Sequence, residues 1–222
     1  MPRGLSIRAV PLVRHRRSGE RSVGRAVATY ASSVGDLEVL AASAAGCTAC
    51  ALAATRTNVV FGMGAPESRF VIVGEGPGAE EDKQGLPFVG RSGQLLDRVL
   101  AEELGFDRAR DCYIANVVKC RPPGNRDPAP EEIDACAPFL AGQLDAIAPA
   151  VVVTLGNFAT RTLLQTAEGI TKLRGRAHPF RAGVLIPTYH PAAVLRNGTR
   201  LIGEFRADFV LAGQHLTAAR GE

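Results

Sequence analysis

Residues 70–78 read FVIVGEGPG, and this stretch decides the fold. Its first part, residues 70–74, is apolar throughout, and the rest is a loop rich in glycine and proline. A short apolar run bounded by turn residues is typical of a strand that is buried on both faces of a parallel sheet. A second run of this kind occupies residues 150–155 and ends at a glycine. We therefore predict two central strands of one sheet.

Two more β-rich runs, residues 113–119 and 184–189, alternate with segments of helical periodicity. Apolar residues recur at helical spacing over residues 95–104 and 133–147, and a proline that suits a helix start precedes the second segment. Alternating strands and helices pair in parallel through right-handed crossovers. The sequence therefore predicts an α/β fold, a three-layer α/β/α sandwich around a central four-stranded parallel sheet.

The composition places the chain among globular proteins. Of its 222 residues, 46% are hydrophobic and 22% are charged, which suits a buried core and argues against wholesale disorder. No apolar run approaches the roughly 18 residues of a membrane-spanning helix. The opening segment also lacks the apolar stretch of a signal peptide. We therefore expect no membrane association and a cytoplasmic location.

Positive charge is concentrated at the start of the chain. Residues 1–25 hold seven arginines and one glutamate, a net charge of +6, whereas the whole chain carries +4. We predict a basic disordered arm at residues 1–34, ahead of a domain at residues 35–220. Two interpretations of the arm stay open, a solubilising tail and a surface that attracts a polyanion.

A second basic segment, residues 169–203, contains no acidic residue. Its positive side chains are Lys172, Arg174, Arg176, Arg181, Arg196 and Arg200. A neutral solvated face would mix charges of both signs, so a long stretch of one sign favours a surface that faces phosphates. This segment indicates a nucleic-acid partner.

The ends of the four predicted strands indicate where a ligand binds. In open α/β sheets, ligands bind beyond the carboxyl ends of the strands. The segments that follow those ends are residues 75–78, 119–122, 156–157 and 190–191. We predict that these four segments surround one pocket.

The glycine-rich loop matches the dinucleotide fingerprint G-x-G-x-x-A at residues 74–79. Three acidic residues follow at 80–82 and would repel a pyrophosphate, and Pro77 lacks a backbone donor that phosphate binding would use. Dinucleotide binding is therefore disfavoured. The loop suits a small planar ligand instead, with the carboxylate of Glu75 at the strand end. Phe88 has two open interpretations, a core residue and a platform for stacking.

Four of the five cysteines are spaced for a metal centre. Cys47 and Cys50 form a C-x2-C pair, and Cys120 and Cys136 form a C-x15-C pair. Two close and two separated thiolates can complete a four-sulfur site. The spacing leaves zinc and an iron–sulfur cluster both open, because each accepts four thiolates. A redox role for the first pair is the alternative.

Three longer stretches resemble the iron–sulfur uracil-DNA glycosylases of family 4. They are GEGPGAEEDKQGLPFVGRSGQLLD, YIANVVKCRPPGNRDPAPEEIDAC and YHPAAVLRN. The resemblance implies a uracil-DNA glycosylase-like fold and a monofunctional enzyme with a [4Fe–4S] cluster. Such an enzyme would hydrolyse the N-glycosidic bond of uracil in single- and double-stranded DNA. It would act as a monomer and leave an abasic site for base excision repair.

The resemblance also implies a role for each matching residue. A structural [4Fe–4S] cluster would be bound by Cys47, Cys50, Cys120 and Cys136. The flipped uracil would stack on Phe88, with Asn116 at its edge and His190 facing O2. Glu75 would position or activate the attacking water, and Glu81 would crowd the place of a thymine methyl group.

Further contacts with the substrate follow from the same resemblance. The loop residues beside the base would be Gly74, Gly76 and Pro77. The DNA backbone would be held by Lys172, Arg174, Arg176 and Arg196. Ala192 departs from the family's usual His-Pro-Ser pattern, and the lost hydroxyl weakens the expected contact with a phosphate.

Three alternatives to this enzyme stay open. One is a non-catalytic iron–sulfur protein that binds uracil-containing DNA. Another is a relative that traps uracil-DNA covalently through a histidine in a basic insertion after the second strand. Residues 120–136 contain no histidine, which disfavours this trap. The third is a nucleotide-dependent redox protein of the same sheet class.

Overall fold

A computed structural model describes residues 24–221, with the side chains of residues 35–221 apart from Thr199. Residues 1–23 of the predicted basic arm lie outside the described residues. The first helix, α1 (Gly24–Ala45), begins within the predicted arm, ahead of the predicted domain start at residue 35. Within the described range, no helix combines the length and the apolar character that crossing a membrane requires.

The described residues form one mixed sheet of six strands. The strands are β1 (Met63–Gly64), β2 (Phe70–Gly74), β3 (Tyr113–Asn116), β4 (Val151–Leu155), β5 (His178–Phe180) and β6 (Gly183–Thr188). Their order is β1-β3-β2-β4-β6-β5, and the central four run parallel. The predicted parallel sheet is confirmed as the centre of a wider one. The edge strands β1 and β5 pair antiparallel and, at two and three residues, are too short to stand out in the sequence.

Helices alternate with the strands along the chain. After α1 they are α2 (Ala79–Gln84), α3 (Arg91–Val99), α4 (Pro130–Ile147), α5 (Gly156–Leu164), α6 (Ile170–Leu173), α7 (Pro191–Asn197) and α8 (Thr199–Arg220). Helix α3 continues into a π-helical turn, Leu100–Leu104. The two predicted helical segments correspond to α3 with this turn and to α4.

The two faces of the sheet have separate hydrophobic cores. Successive side chains of a strand point to opposite faces. Phe70 and Ile72 pack in a cluster with residues of α3 and α8, whereas Val71 and Val73 pack in a cluster with residues of α1 and α4. Burial on both faces explains why β2 is apolar throughout. It also confirms the three-layer α/β/α architecture.

The register of the central strands places their carboxyl ends side by side. Gly74 of β2 is paired with Asn116 of β3, while Leu155 of β4 is paired with Thr188 of β6. Backbone hydrogen bonds continue the pairing of β2 with the β3 segment as far as Glu75. The sheet therefore brings together, at one edge, side chains that are far apart in the sequence.

Candidate active site

A side-chain amide and an aromatic ring approach the end of β2 closely. A Cβ atom on Gly74 would lie 2.4 Å from Asn116 Oδ1 and 2.6 Å from Phe88 Cζ, so a glycine is required there. Asn116 is 1% exposed, and within the described residues its Oδ1 has no hydrogen-bond partner. A buried acceptor without a partner is rare and costly unless a ligand supplies the missing bond. This cradle of Gly74, Asn116 and Phe88 therefore suits a flat polar ligand.

His190 lies beside the cradle, two residues after the end of β6. The centroids of the His190 and Phe88 rings are 6.0 Å apart, and the ring planes make an angle of 34°. His190 Nδ1 accepts a hydrogen bond from Ala192 N at 3.1 Å, so the neutral ring carries its proton on Nε2. Burial, reinforced by the charge of Arg196 and partly opposed by Glu81, lowers the pKa of His190 to about 4. At neutral pH this side chain is therefore an uncharged donor.

A cavity of about 540 Å³ opens next to His190 and is lined by two carboxylates, Glu75 and Asp127. Burial and then the negative charge of Asp127 raise the pKa of Glu75 to about 7. A carboxyl group with this pKa gains or loses a proton near neutral pH, as general acid–base chemistry requires. Gly156 and Asn157 line the same cavity. Three of the four predicted segments therefore meet here, and Asp127 takes the place of residues 119–122.

Glu81 contacts the loop that carries Phe88. Its Oε1 accepts hydrogen bonds from the backbone N–H groups of Val89, at 3.0 Å, and Gly90, at 3.1 Å. These two bonds account for the position of the carboxylate within the protein itself. The contact of Glu81 with a substrate stays a prediction.

Gly76 and Pro77 shape the glycine loop by packing. A Cβ atom on Gly76 would lie 2.8 Å from Val118 Cγ2, and Pro77 is buried. Neither residue is among the described side chains that line the cavity. Their contact with a substrate also stays a prediction.

The four cysteines that were predicted to bind a metal centre lie together. One small cavity is lined by Cys47, Cys50, Cys120 and Cys136, and all four thiols are free. Arg56 Nη1 lies 3.4 Å from Cys120 Sγ, and the backbone N of Lys119 lies 3.2 Å from Cys136 Sγ. Donors of this kind stabilise thiolate ligands. The cavity therefore fits a centre with four thiolate ligands.

The spacing of the cysteines left two kinds of metal centre open. In the part of the chain that the structure describes, no three His, Cys, Asp or Glu side chains are arranged to hold a single metal ion. A zinc site needs its sulfurs at about 2.3 Å from one atom. An iron–sulfur cluster distributes its cysteines over several iron atoms. The four thiols that line the cavity are compatible with either centre.

Comparisons with known proteins point to one family. A family model described as the uracil DNA glycosylase superfamily matches residues 61–215. Over 163 residues the chain is 50% identical to a type-4 uracil-DNA glycosylase of Thermotoga maritima, covering 72% of this chain and 84% of that protein. The chain belongs to the type-4 uracil-DNA glycosylases. The resemblance that the three long stretches indicated is thereby confirmed, and with it the enzyme class.

Other relatives support the same subdivision of the superfamily. A type-4 uracil-DNA glycosylase of Sulfurisphaera tokodaii is 44% identical over 169 residues, 72% of this chain and 76% of that protein. A type-5 uracil-DNA glycosylase of Thermus thermophilus is 30% identical over 179 residues, 71% of this chain and 80% of that protein. The type-4 enzymes are thus more similar at equal coverage.

In this type-4 family member, Arg174, one of the residues predicted to hold the DNA backbone, has charged partners within the protein. Its Nε and Nη2 donate to the two carboxylate oxygens of Asp208 at 2.9 and 2.8 Å, and its guanidinium lies 5.2 Å from the centroid of the Tyr189 ring. The side chain of Arg174 is 14% exposed and that of Asp208 is 1% exposed. The guanidinium therefore holds α8 against the end of β6, and its contact with a DNA backbone stays a prediction. Lys172, Arg176 and Arg196 are exposed, and Arg196 lines the cavity.

The sequence patterns did not indicate Asp127 or Arg108. Asp127 lies between Cys120 and Cys136, a segment whose cysteine spacing indicated only a metal centre. Arg108 Nη1 donates to the backbone oxygen of Phe88 at 2.8 Å, across twenty positions of the chain. The carboxyl-end rule for the second strand could have suggested Asp127. No local pattern marks Arg108.

Proposed function

We propose that this protein is a monofunctional DNA glycosylase that hydrolyses the N-glycosidic bond of uracil in single- and double-stranded DNA. Its product is an abasic site that enters base excision repair. The observation that carries this proposal is the unpartnered Oδ1 of Asn116, held between Gly74 and the ring of Phe88. Membership of the type-4 family supports the same reaction.

In this proposal the Asn116 amide reads the edge of the base. Its NH2 group donates to uracil O4 and its Oδ1 accepts from N3–H, which supplies the partner that Oδ1 lacks within the protein. Cytosine reverses this pattern and would leave buried groups unpaired, a mismatch that can reach about 10⁴-fold in discrimination. The base stacks on Phe88 after it has left the DNA helix.

His190 and Glu75 then stabilise opposite charges. Breaking the N-glycosidic bond builds negative charge on the departing uracil and positive charge on the deoxyribose. The Nε2–H of neutral His190 donates to O2 of the uracil anion, while ionised Glu75 faces the sugar and orients the attacking water. The two groups follow the carboxyl ends of β2 and β6 and line the same cavity, which supports this division of roles.

The exposed basic side chains supply the contacts with the DNA backbone. Lys172, Arg176 and Arg196 are exposed on the part of the chain that contains no acidic residue. Arg196 lines the cavity that Glu75 and His190 share, which is where the phosphates next to a flipped nucleotide would pass.

The four cysteines bind a [4Fe–4S] cluster in this proposal. When bound, the cluster supplies structural cross-linking, because it ties the segment with Cys47 and Cys50 to the β3–α4 connection with Cys120 and Cys136. Arg56 and Lys119 offset the negative charge of the thiolates. These residues act on folding and lie outside the reaction itself.

The cluster has a direct test with a matched control. Cys47→Ala should abolish the iron-dependent absorbance near 400 nm and lower the melting temperature. Cys112→Ala removes a buried thiol that does not line the cysteine cavity, so it should keep the absorbance. A Cys47 variant with full absorbance and unchanged stability would overturn the cluster assignment.

The reaction is tested with labelled oligonucleotides that hold one uracil, as a single strand and opposite guanine or adenine. Strand breaks that need alkali and occur only at uracil would support the proposal, with thymine and cytosine strands as controls. Breaks without alkali would indicate a lyase. A band of low mobility that survives denaturation would indicate a covalent trap, and intact DNA that remains bound to protein would favour a non-catalytic binding protein.

A further inference from the structure

The backbone of Phe88 is in a conformation that a phenylalanine rarely adopts. Its φ is 53°, in the left-handed region that favours glycine. A bulky residue stays in this region only when its surroundings fix it, and such strain is concentrated at functional sites. The ring is 6% exposed and lies beside Gly74 and His190. Something in the protein must therefore hold this backbone against relaxation.

Two side chains hold the loop on either side of the Phe88 peptide. Arg108 Nη1 donates to the carbonyl oxygen of Phe88 at 2.8 Å. Glu81 Oε1 accepts the next two backbone N–H groups, those of Val89 and Gly90. With the carbonyl and both following amides fixed, rotation about the Phe88 backbone would break several hydrogen bonds at once.

The Phe88 carbonyl is also held by packing. A Cβ atom on Gly93 would lie 1.7 Å from the oxygen of Phe88, so α3 can approach the loop only because this residue is a glycine. Arg108 forms an ion pair with Asp97 of α3, with Nε 2.9 Å from Oδ1, but the two atoms are not aligned for a hydrogen bond, which leaves the bond to the Phe88 carbonyl as its hydrogen bond to this region. The Arg108 side chain is 17% exposed, which keeps water from competing effectively for the carbonyl.

We propose that Arg108 is a positioning residue for base recognition, which it achieves by fixing Phe88 in its left-handed conformation. The inference rests on the proposed function, because it takes the Phe88 ring as the surface on which uracil stacks. Arg108 acts through the Phe88 carbonyl and is not among the described residues that line the cavity. Without it, the backbone of Phe88 relaxes and the ring leaves its place between Gly74 and His190.

The test compares Arg108→Met with Arg110→Met. Arg110 is on the same turn and has the same charge, but its side chain is 81% exposed, and among the described side chains it pairs only with Asp107, at 3.8 Å. Arg108→Met should lower the single-turnover rate of uracil release by about 10- to 100-fold, the loss expected from a misplaced reacting partner. Arg110→Met should match the wild type. Arg108→Lys keeps a single donor and should recover part of the loss.

A double-mutant cycle with Phe88→Ala separates positioning from a general loss of structure. If Arg108 acts through the ring, Arg108→Met should have little further effect once the ring is absent. Fully additive losses would overturn the inference, and so would a wild-type rate in Arg108→Met. Hydrogen exchange of the Val89 and Gly90 amides gives a readout that does not need activity. Exchange should be faster in Arg108→Met than in the wild type and unchanged in Arg110→Met.

These measurements keep the inference distinct from the proposed function. If the wild type releases no uracil, the proposed function fails, and the exchange rates alone decide whether Arg108 orders the Phe88 loop. Unchanged exchange at both amides in Arg108→Met would overturn the ordering role. If the wild type is active and Arg108→Met equals it, the function stands and the inference fails.

Discussion

The two sides of the candidate active site differ in burial and in charge. One side, formed by Phe88, Asn116 and His190, is uncharged at neutral pH, because Phe88 and Asn116 are neutral and buried and desolvation keeps His190 neutral at the wall of the cavity. The other side opens into the cavity of about 540 Å³ and holds Glu75 and Asp127. In the proposed reaction the uracil anion meets a neutral donor, while the sugar cation meets a carboxylate. In that reaction the fold separates the two developing charges by giving each its own environment.

Removing His190, the donor on the uncharged side, should have the largest effect on the rate. We expect His190→Ala to lower the single-turnover rate of uracil release by about 10²- to 10³-fold, the usual loss when one donor to a developing anion is removed. His215→Ala removes a histidine of α8 that does not line the cavity, and it should leave the rate unchanged. An unaltered rate in the His190 variant would show that this side does not stabilise the negative charge on the departing uracil.

A methyl group placed in the cradle at Gly74 should have the second-largest effect on activity. In Gly74→Ala the new methyl group would meet Asn116 Oδ1 and Phe88 Cζ at 2.4 and 2.6 Å. The amide and the ring must separate, so we expect a loss of about 10²-fold in kcat/KM, as for other small displacements of reacting groups. Gly203→Ala is the control, because nothing lies within 4 Å of its Cβ position. Because Gly203 lies at an exposed position in a helix, Gly203→Ala should raise the free energy of unfolding by about 1 kcal/mol. Full activity in Gly74→Ala would contradict the proposed role of the cradle in binding the base.

The side with the carboxylates Glu75 and Asp127 should determine the pH dependence of kcat/KM. Because the pKa of Glu75 is about 7 and its ionised form is required, kcat/KM should rise as the pH increases through 7. Asp127→Asn removes the negative charge that opposes ionisation, so the rise should move to lower pH. Asp36→Asn, on α1, is the control and should leave the profile unchanged. His190 adds no step here, since its pKa is about 4. A profile that is flat from pH 5 to 9 would contradict the role of Glu75.

The smallest effects on activity concern the basic segment, where two arginines should behave differently. Arg176→Ala should weaken DNA binding only a few-fold and reduce the slope of log affinity against log salt by about 1. Arg174→Ala leaves the buried carboxylate of Asp208 without its charged partner, although the hydrogen bond from Thr188 Oγ1 remains, so it should lower the free energy of unfolding by about 3 kcal/mol. Salt titrations and urea unfolding distinguish the two, and equal behaviour of both variants would contradict the division into buried and exposed arginines.

The sequence predicted the parts of the structure that depend on local pattern. The apolar runs located the central strands, and the carboxyl-end rule placed Glu75 and His190 at one edge of the sheet. β1 and β5 were missed because strands of two and three residues carry no periodicity. Their presence depends on pairing with β3 and β6.

Long-range partners account for the remaining differences. Arg174 was assigned to DNA because residues 169–203 contain no acid, yet its partners Glu204 and Asp208 begin directly after that window. Arg108 reaches Phe88 because α3 packs against the loop that carries Phe88. Composition and spacing contain no information on burial or tertiary contacts. The contacts of Arg174 and Arg108 could therefore be identified only in the folded structure.

Intact-mass spectrometry of one reaction tests the central claim most directly. The purified protein is incubated with a single-stranded oligonucleotide that holds one uracil, and all products are weighed without alkali. We predict free uracil and a full-length strand whose mass corresponds to hydrolysis at that nucleotide. Unchanged substrate, a strand cleaved in two, or a species with the combined mass of protein and DNA would contradict hydrolysis by Glu75, Asn116 and His190.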